Sequence, residues 1–187
     1  MIGKTYAIPP QPPVPENLTT FAAGNLSIGV EYRDLDPEGL VATYRENPAH
    51  LAELLARSPE GGFTDEGVSL HVFDAADGHE YVRFDVFDGD PHYHYNHRGP
   101  EVVNNVVEFD VVAHGDMLPW ALDRIRTRMP EMLTEAGGTH LVAGLDQKAI
   151  DRALGQVAEI AERAQATTRA VRRARAADAR TADDRAL

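Results

Sequence analysis

Between residues 67 and 112 the chain alternates polar and apolar residues in four runs, 67–74, 79–87, 90–97 and 101–112, and no other segment restricts the fold so tightly. The connections carry turn chemistry: Ala76-Asp77-Gly78, Asp88-Gly89 and His97-Arg98-Gly99. Asp-Gly between alternating runs signals a two-residue hairpin, and three-residue loops ending in a left-handed glycine are the next commonest kind. The segment reads as an antiparallel meander.

A slip of one residue would exchange the two faces of every strand. With loops of three, two and three residues, one face collects Val68, Leu70, Val72, Val82, Phe84, Val86, Tyr93, Tyr95, Val103, Val107, Phe109 and Val111, and it is apolar apart from Asn105. Turn glycines and apolar pattern thus select the same register independently. The opposite face receives Ser69, His71, Arg83, Asp85, His92, His94, Asn104, Glu108 and Asp110, with Val102 and Val106. Two cross-strand rows follow, Ser69–Asp85–His92–Val106 and His71–Arg83–His94–Asn104, with neighbours about 5 Å apart. A merely solvated face carries Thr, Lys, Glu and Ser rather than three histidines among carboxylates.

His92-Tyr93-His94 is a His-x-His pair on one strand, so both imidazoles point the same way. Zinc, iron or nickel takes two or three such nitrogens plus a carboxylate and leaves a position for water or substrate. His71 is the third candidate metal ligand, and Asp85 or Glu108 could complete the set instead. Arg83 argues otherwise, because a guanidinium repels a divalent cation and suits a carboxylate or phosphate. A metal-free site would use His92 or His94 as general acid and base, held by Asp85, with Arg83 orienting an anionic substrate. The third alternative is a structural polar face, such as a subunit interface. His50 and His140 read as surface residues, His114 as a loop end and Trp120 as core or interface.

Outside the meander, residues 8–15 hold five prolines, which favours polyproline II and excludes a sheet centre. Residues 1–20 therefore read as an arm lying across this or a neighbouring subunit. The main α+β domain takes 21–144. Leu26–Arg33 is a strand, Asp36-Pro37 and Asn47-Pro48 open short helices over 37–46 and 48–57, and Leu51, Leu54 and Leu55 stripe the second. Asp116 caps a helix whose residues Leu118, Leu122, Ile125, Met129 and Leu133 face the sheet, bent at Pro130 and stopped by Gly137-Gly138. From 145 to 187 the chain is helical, and Ile150, Leu154, Val157, Ala161, Ala164, Thr168 and Val171 alternate steps of four and three, the seam of a self-associating or packing helix.

The 187 residues carry a net charge of −12, with 9 Lys+Arg against 23 Asp+Glu up to residue 144 and 9 against 7 beyond it. An acidic body disfavours nucleic acid and anionic membrane as partners. Cysteine is absent, which removes disulfides, thiol nucleophiles and thiolate metal sites. No apolar run reaches membrane-spanning length and no secretory leader is visible, so a cytoplasmic protein is expected, and the Arg- and Ala-rich composition suggests a bacterial one. Nucleotide phosphate loops and a Gly-x-Ser-x-Gly elbow are missing.

The expected fold is α+β: a four- to five-stranded antiparallel meander, helices on one face and a long C-terminal helix. The expected function is an enzyme acting on a small polar or anionic molecule at the open sheet face. His92, His94 and His71 would bind a divalent metal there, with Asp85, Arg83 and Glu108 completing the site. The alternative is a non-catalytic accessory protein, a homo-oligomer (a dimer first) joined through the C-terminal helix.

Overall fold

The computed structural model describes residues 3–57, 64–99 and 103–183. Seven antiparallel strands form one sheet: β1 (Lys4–Tyr6), β2 (Thr19–Ala23), β3 (Leu26–Leu35), β4 (Asp65–Asp74), β5 (Glu80–Phe87), β6 (His92–His97) and β7 (Val103–Glu108). Their order is β1-β7-β6-β5-β4-β3-β2. The meander is therefore two strands wider than the upper expectation. The additional strands are the short edges β1 and β2, of three and five residues, neither long enough to show an alternation.

That order has a consequence for the proline segment. Consecutive strands β1 and β2 occupy opposite edges of the sheet, so residues 7–18 must cross its whole width. Six strand spacings amount to about 29 Å, and twelve residues reach at most about 40 Å, which leaves room for the turn at 15–17. An extended arm is long enough for the crossing.

The apolar face follows the turn-derived parity. Val68, Leu70, Val72, Val82 and Phe84 are fully buried and join Leu26, Ile28 and Val30 of β3. Covering them are α4 (Met117–Thr127), α5 (Met129–Glu135) and α7 (Gln147–Asp183). Asp116 caps α4 by accepting from the Leu118 amide, and Pro130 stands in the first turn of α5, so the proline splits the expected bent helix in two. Leu118, Ile125, Met129 and Leu133 are buried as expected, and Trp120 packs on Phe84, Tyr93 and Phe109. The first half of the α7 seam, Ile150, Leu154, Val157 and Ala161, is buried in this chain's own core, whereas Val171 is exposed.

Two local expectations need correction. The run 101–112 ends as a strand at Glu108, and Asp110 instead caps the short helix α3 (Val111–His114), leaving Val111 exposed. The β6–β7 connection is also two residues longer than a three-residue loop, because His97 pairs with Val103. His92 therefore faces Glu108 and His94 faces Val106, and the slip of two keeps both faces intact. Val102 lies outside the described residues, as does Gly61-Gly62.

Helix α1 (Pro37–Thr43) starts at Asp36, whose side chain accepts from the Gly39 amide, and Asn47 Oδ1 accepts from the His50 amide in the first turn of α2 (Pro48–Arg57). Leu51 is half-buried, and the side chains of Leu54 and Leu55 lie outside the described residues. Helix α1 joins the proline arm over the polar face, so the helices do not keep to one side. The short α6 (Thr139–Val142) links α5 to α7. No helix among the described residues is long and apolar enough to cross a membrane.

Candidate metal centre beneath the proline arm

Asp85 stands in the middle of β5, with Ser69 of β4 on one side and His92 of β6 on the other. His94, two residues along β6, points the same way. Asp85 Oδ1 accepts from Ser69 Oγ at 2.5 Å, and Oδ2 lies 2.9 Å from His94 Nε2 and 3.3 Å from both His92 Nε2 and Arg83 Nε. One potential ligand atom from each of Asp85, His92 and His94 lies within 4.8 Å of the others, a set that could hold a metal ion.

The outer ring nitrogens define what the inner ones can do. His92 Nδ1 is 2.6 Å from the Asp90 carbonyl, which only accepts, so that nitrogen carries a hydrogen. His94 Nδ1 is held in the same way by Asn104 Oδ1 at 2.7 Å. Both Nε2 atoms are then lone pairs aimed at one carboxylate oxygen unless a cation, a proton or a metal ion, stands between them. Metal-binding histidines are oriented by such outer partners.

Burial favours the neutral acid at Asp85, but Arg83 and the hydrogen bonds from His92 and His94 outweigh it and hold the carboxyl well below its usual range. Burial also pulls His92 down, yet Asp85 leaves it raised. His94 is lowered, because Arg83 adds to its burial and Asp85 does not compensate. The site thus favours an anion at Asp85 and positive charge at His92.

The expected patch separates into three places. His92, His94, Asp85 and Arg83 come together. His71 does not join them, although it occupies the expected row opposite Arg83. Its Nδ1 is 2.5 Å from Glu80, its Nε2 is 3.4 Å from Glu31, and its ring stacks on Phe73. A register shift between Val72 and Phe73 pairs Phe73 with Glu80, so Glu80 reaches the polar side while Tyr81 turns into the core. Alternation alone could not show that shift. Glu108 stands opposite His92 but pairs with Lys4 of the edge strand β1, and both side chains are exposed, so it stands outside the metal set.

The polar face is also not open. Glu31, Arg33, Ser69, His71, Arg83, Asp85 and His94 are all at most 5% exposed. The arm covers them with its backbone: the Gln11 carbonyl accepts from Arg83 at 2.7 Å, the Val14 amide donates to Glu31 at 2.9 Å, and the Pro9 carbonyl accepts from Tyr44 at 2.9 Å. What remains is a cavity of about 240 Å³ lined by Asp85, His92, His94, Asn104, Arg33 and Arg83, with Tyr6, Ile8, Leu35, Leu40, Tyr44, Phe87 and Val106 among its walls. Mostly apolar walls with a few convergent polar groups are typical of small-molecule sites. Arg33, Tyr44 and Gln11 are lining residues that the sequence reading passed over. Arg33 alternates with Ile28 and Val30 on β3, which does place it on the polar side.

Residues 20–161 match a family described as a domain of unknown function, DUF7700. The chain belongs to that family. The match runs from β2 into α7, so it includes the three candidate ligands and both lining arginines, whereas β1 and the arm that roof the cavity precede it. No curated protein and no solved structure matches the chain.

Proposed function

We propose that this DUF7700 chain is an enzyme that holds one divalent transition metal on Asp85, His92 and His94 and acts on a small molecule in the cavity beside them. The observation that carries the reading is the pair of imidazoles whose Nδ1 atoms are committed to Asp90 and Asn104, so that both Nε2 atoms converge on one Asp85 oxygen. Two nitrogens and one carboxylate suit zinc or iron(II) and leave positions for water or substrate. When bound, such an ion polarises a substrate oxygen or lowers the pKa of a bound water. Ser69 and Arg83 keep Asp85 oriented and anionic, and Asn104 keeps His94 turned inward.

A metal-free reading draws on Arg83, whose guanidinium already stands 3.3 Å from Asp85. In that reading His94 serves as general base, with Asp85 as its partner. Titration calorimetry of the chelator-treated chain separates the two. The metal reading expects about one equivalent of zinc or iron(II) to bind and His92→Ala and His94→Ala to lose it; no uptake, or undiminished uptake by both variants, overturns it.

A further inference from the structure

Arg33 and Arg83 are both buried and both end beside the cavity. Each has a carboxylate near its Nε without a hydrogen bond to it: Arg33 Nε lies 3.4 Å from Glu31, and Arg83 Nε lies 3.3 Å from Asp85. Their terminal nitrogens converge on a single neutral atom, the Gln11 carbonyl oxygen, at 3.3 and 3.4 Å from Arg33 and 2.7 Å from Arg83. Gln11 is the one non-proline residue in Pro9-Pro10-Gln11-Pro12-Pro13. Two guanidinium groups on one carbonyl oxygen are an incomplete match, because their planar donor sets suit a carboxylate, which brings a full charge and two oxygens.

The walls show what the rest of such a ligand looks like. Ile8, Leu35, Leu40, Tyr44, Phe87 and Val106 are apolar or aromatic, and the 240 Å³ they help enclose equals about eight waters at ~30 Å³ each. That volume accepts one small ring or a short alkyl chain.

We infer that the ligand of this cavity is a small apolar monocarboxylate, whose carboxylate joins the Gln11 carbonyl on the Arg33 and Arg83 N–H groups and whose apolar body lies against α1 and β3. The inference rests on the cavity being a ligand site, as in the proposed function, but not on a metal being bound there. The carboxylate end would sit beside Asp85, which fixes how the ligand is oriented relative to the two histidines.

The test is calorimetric titration of the full chain with phenylacetate and with its neutral isostere phenylacetamide, once after chelation and once with zinc. Saturable binding of phenylacetate in both preparations, at least ~10-fold tighter than the amide, is the expected result. Arg33→Gln should weaken phenylacetate by at least ~10-fold. Leu40→Trp, which fills the cavity from the half-buried face of α1, should do the same and stands in should Arg33→Gln not fold. Equal affinity for acid and amide, no saturable binding of phenylacetate in either preparation, or binding unchanged in Leu40→Trp would overturn the proposal. Failure of zinc uptake with phenylacetate binding intact would reject the metal and leave the carboxylate site standing.

Discussion

Replacing Asn104 with alanine removes the acceptor 2.7 Å from His94 Nδ1 and leaves all three proposed ligands in place. Outer partners of this kind are worth about 10- to 100-fold in metal affinity. Zinc at about 100 times the Kd of the unaltered chain stabilises that chain by about 2.7 kcal/mol, from RT ln(1 + [L]/Kd). At the same zinc concentration Asn104→Ala gains only about 0.4 to 1.4 kcal/mol. For a chain of this length each kcal/mol moves Tm by about 2 to 4 °C, so the zinc-induced shift should fall from about 5–11 °C to about 1–6 °C. Each protein is scanned against its own chelator-treated baseline, which cancels whatever stability the buried Asn104 contributes by itself. Equal zinc shifts in the two proteins would refute the argument, because they would mean that the orientation of His94 is irrelevant to the ion. A zinc shift that persists in His92→Ala would refute it more broadly by placing the ion elsewhere.

Two further outcomes follow from the fold and its charges. His71 is raised above its ordinary value of 6.5 because Glu31 and Glu80 outweigh its burial, so ring-nitrogen NMR should give a titration midpoint above 6.5. Its contribution to stability is then full below 6.5 and is lost as pH rises through the folded-state value; a midpoint under 6.5 would contradict the pairing. On α7, Leu154→Ala should cost about 2–5 kcal/mol in urea unfolding, because Leu154 is 1% exposed. Val171→Ala, at a position 45% exposed, should stay within about 0.5 kcal/mol. Similar losses at both positions would show that the distal seam packs as firmly as the proximal one.

Most of the meander was legible because two independent signals agreed. Gly78, with φ of +76°, fixes the β4–β5 register and Asp88-Gly89 the β5–β6 register, and the apolar face selects the same parity. Asp85, His92 and His94 could be placed together on that basis alone. What escaped notice depended on contacts far apart in sequence or on one-residue irregularities. The strand β1 has three residues and is defined only by its pairing with β7. The bulge beside Val72 adds a residue that no alternation reveals, and it decides whether His71 meets Glu80 or the metal candidates. Glu108 shares the polar face, but Lys4 of the three-residue edge strand draws it to the exposed rim, a pairing that local pattern does not show.

The proline run and the arginine- and histidine-bearing sheet face each look costly on their own, and together they account for each other. A polyproline II segment makes no internal hydrogen bonds, so every carbonyl it buries needs an outside donor. An apolar sheet face would leave those carbonyls unsatisfied. Arg33, Arg83 and Tyr44 supply donors at Gln11 and Pro9, and Glu31 takes the one amide that Val14 offers between prolines. In return the arm excludes water from Asp85 and its histidines without adding a strand that would compete for the sheet's own pairing. Charges under such a roof interact more strongly than at an open surface, and a carboxylate contacted by one guanidinium and two imidazoles is tuned by geometry rather than screened by solvent. Covering therefore turns a patch of polar residues into a site, and the covering segment lies in the residues that precede the family match.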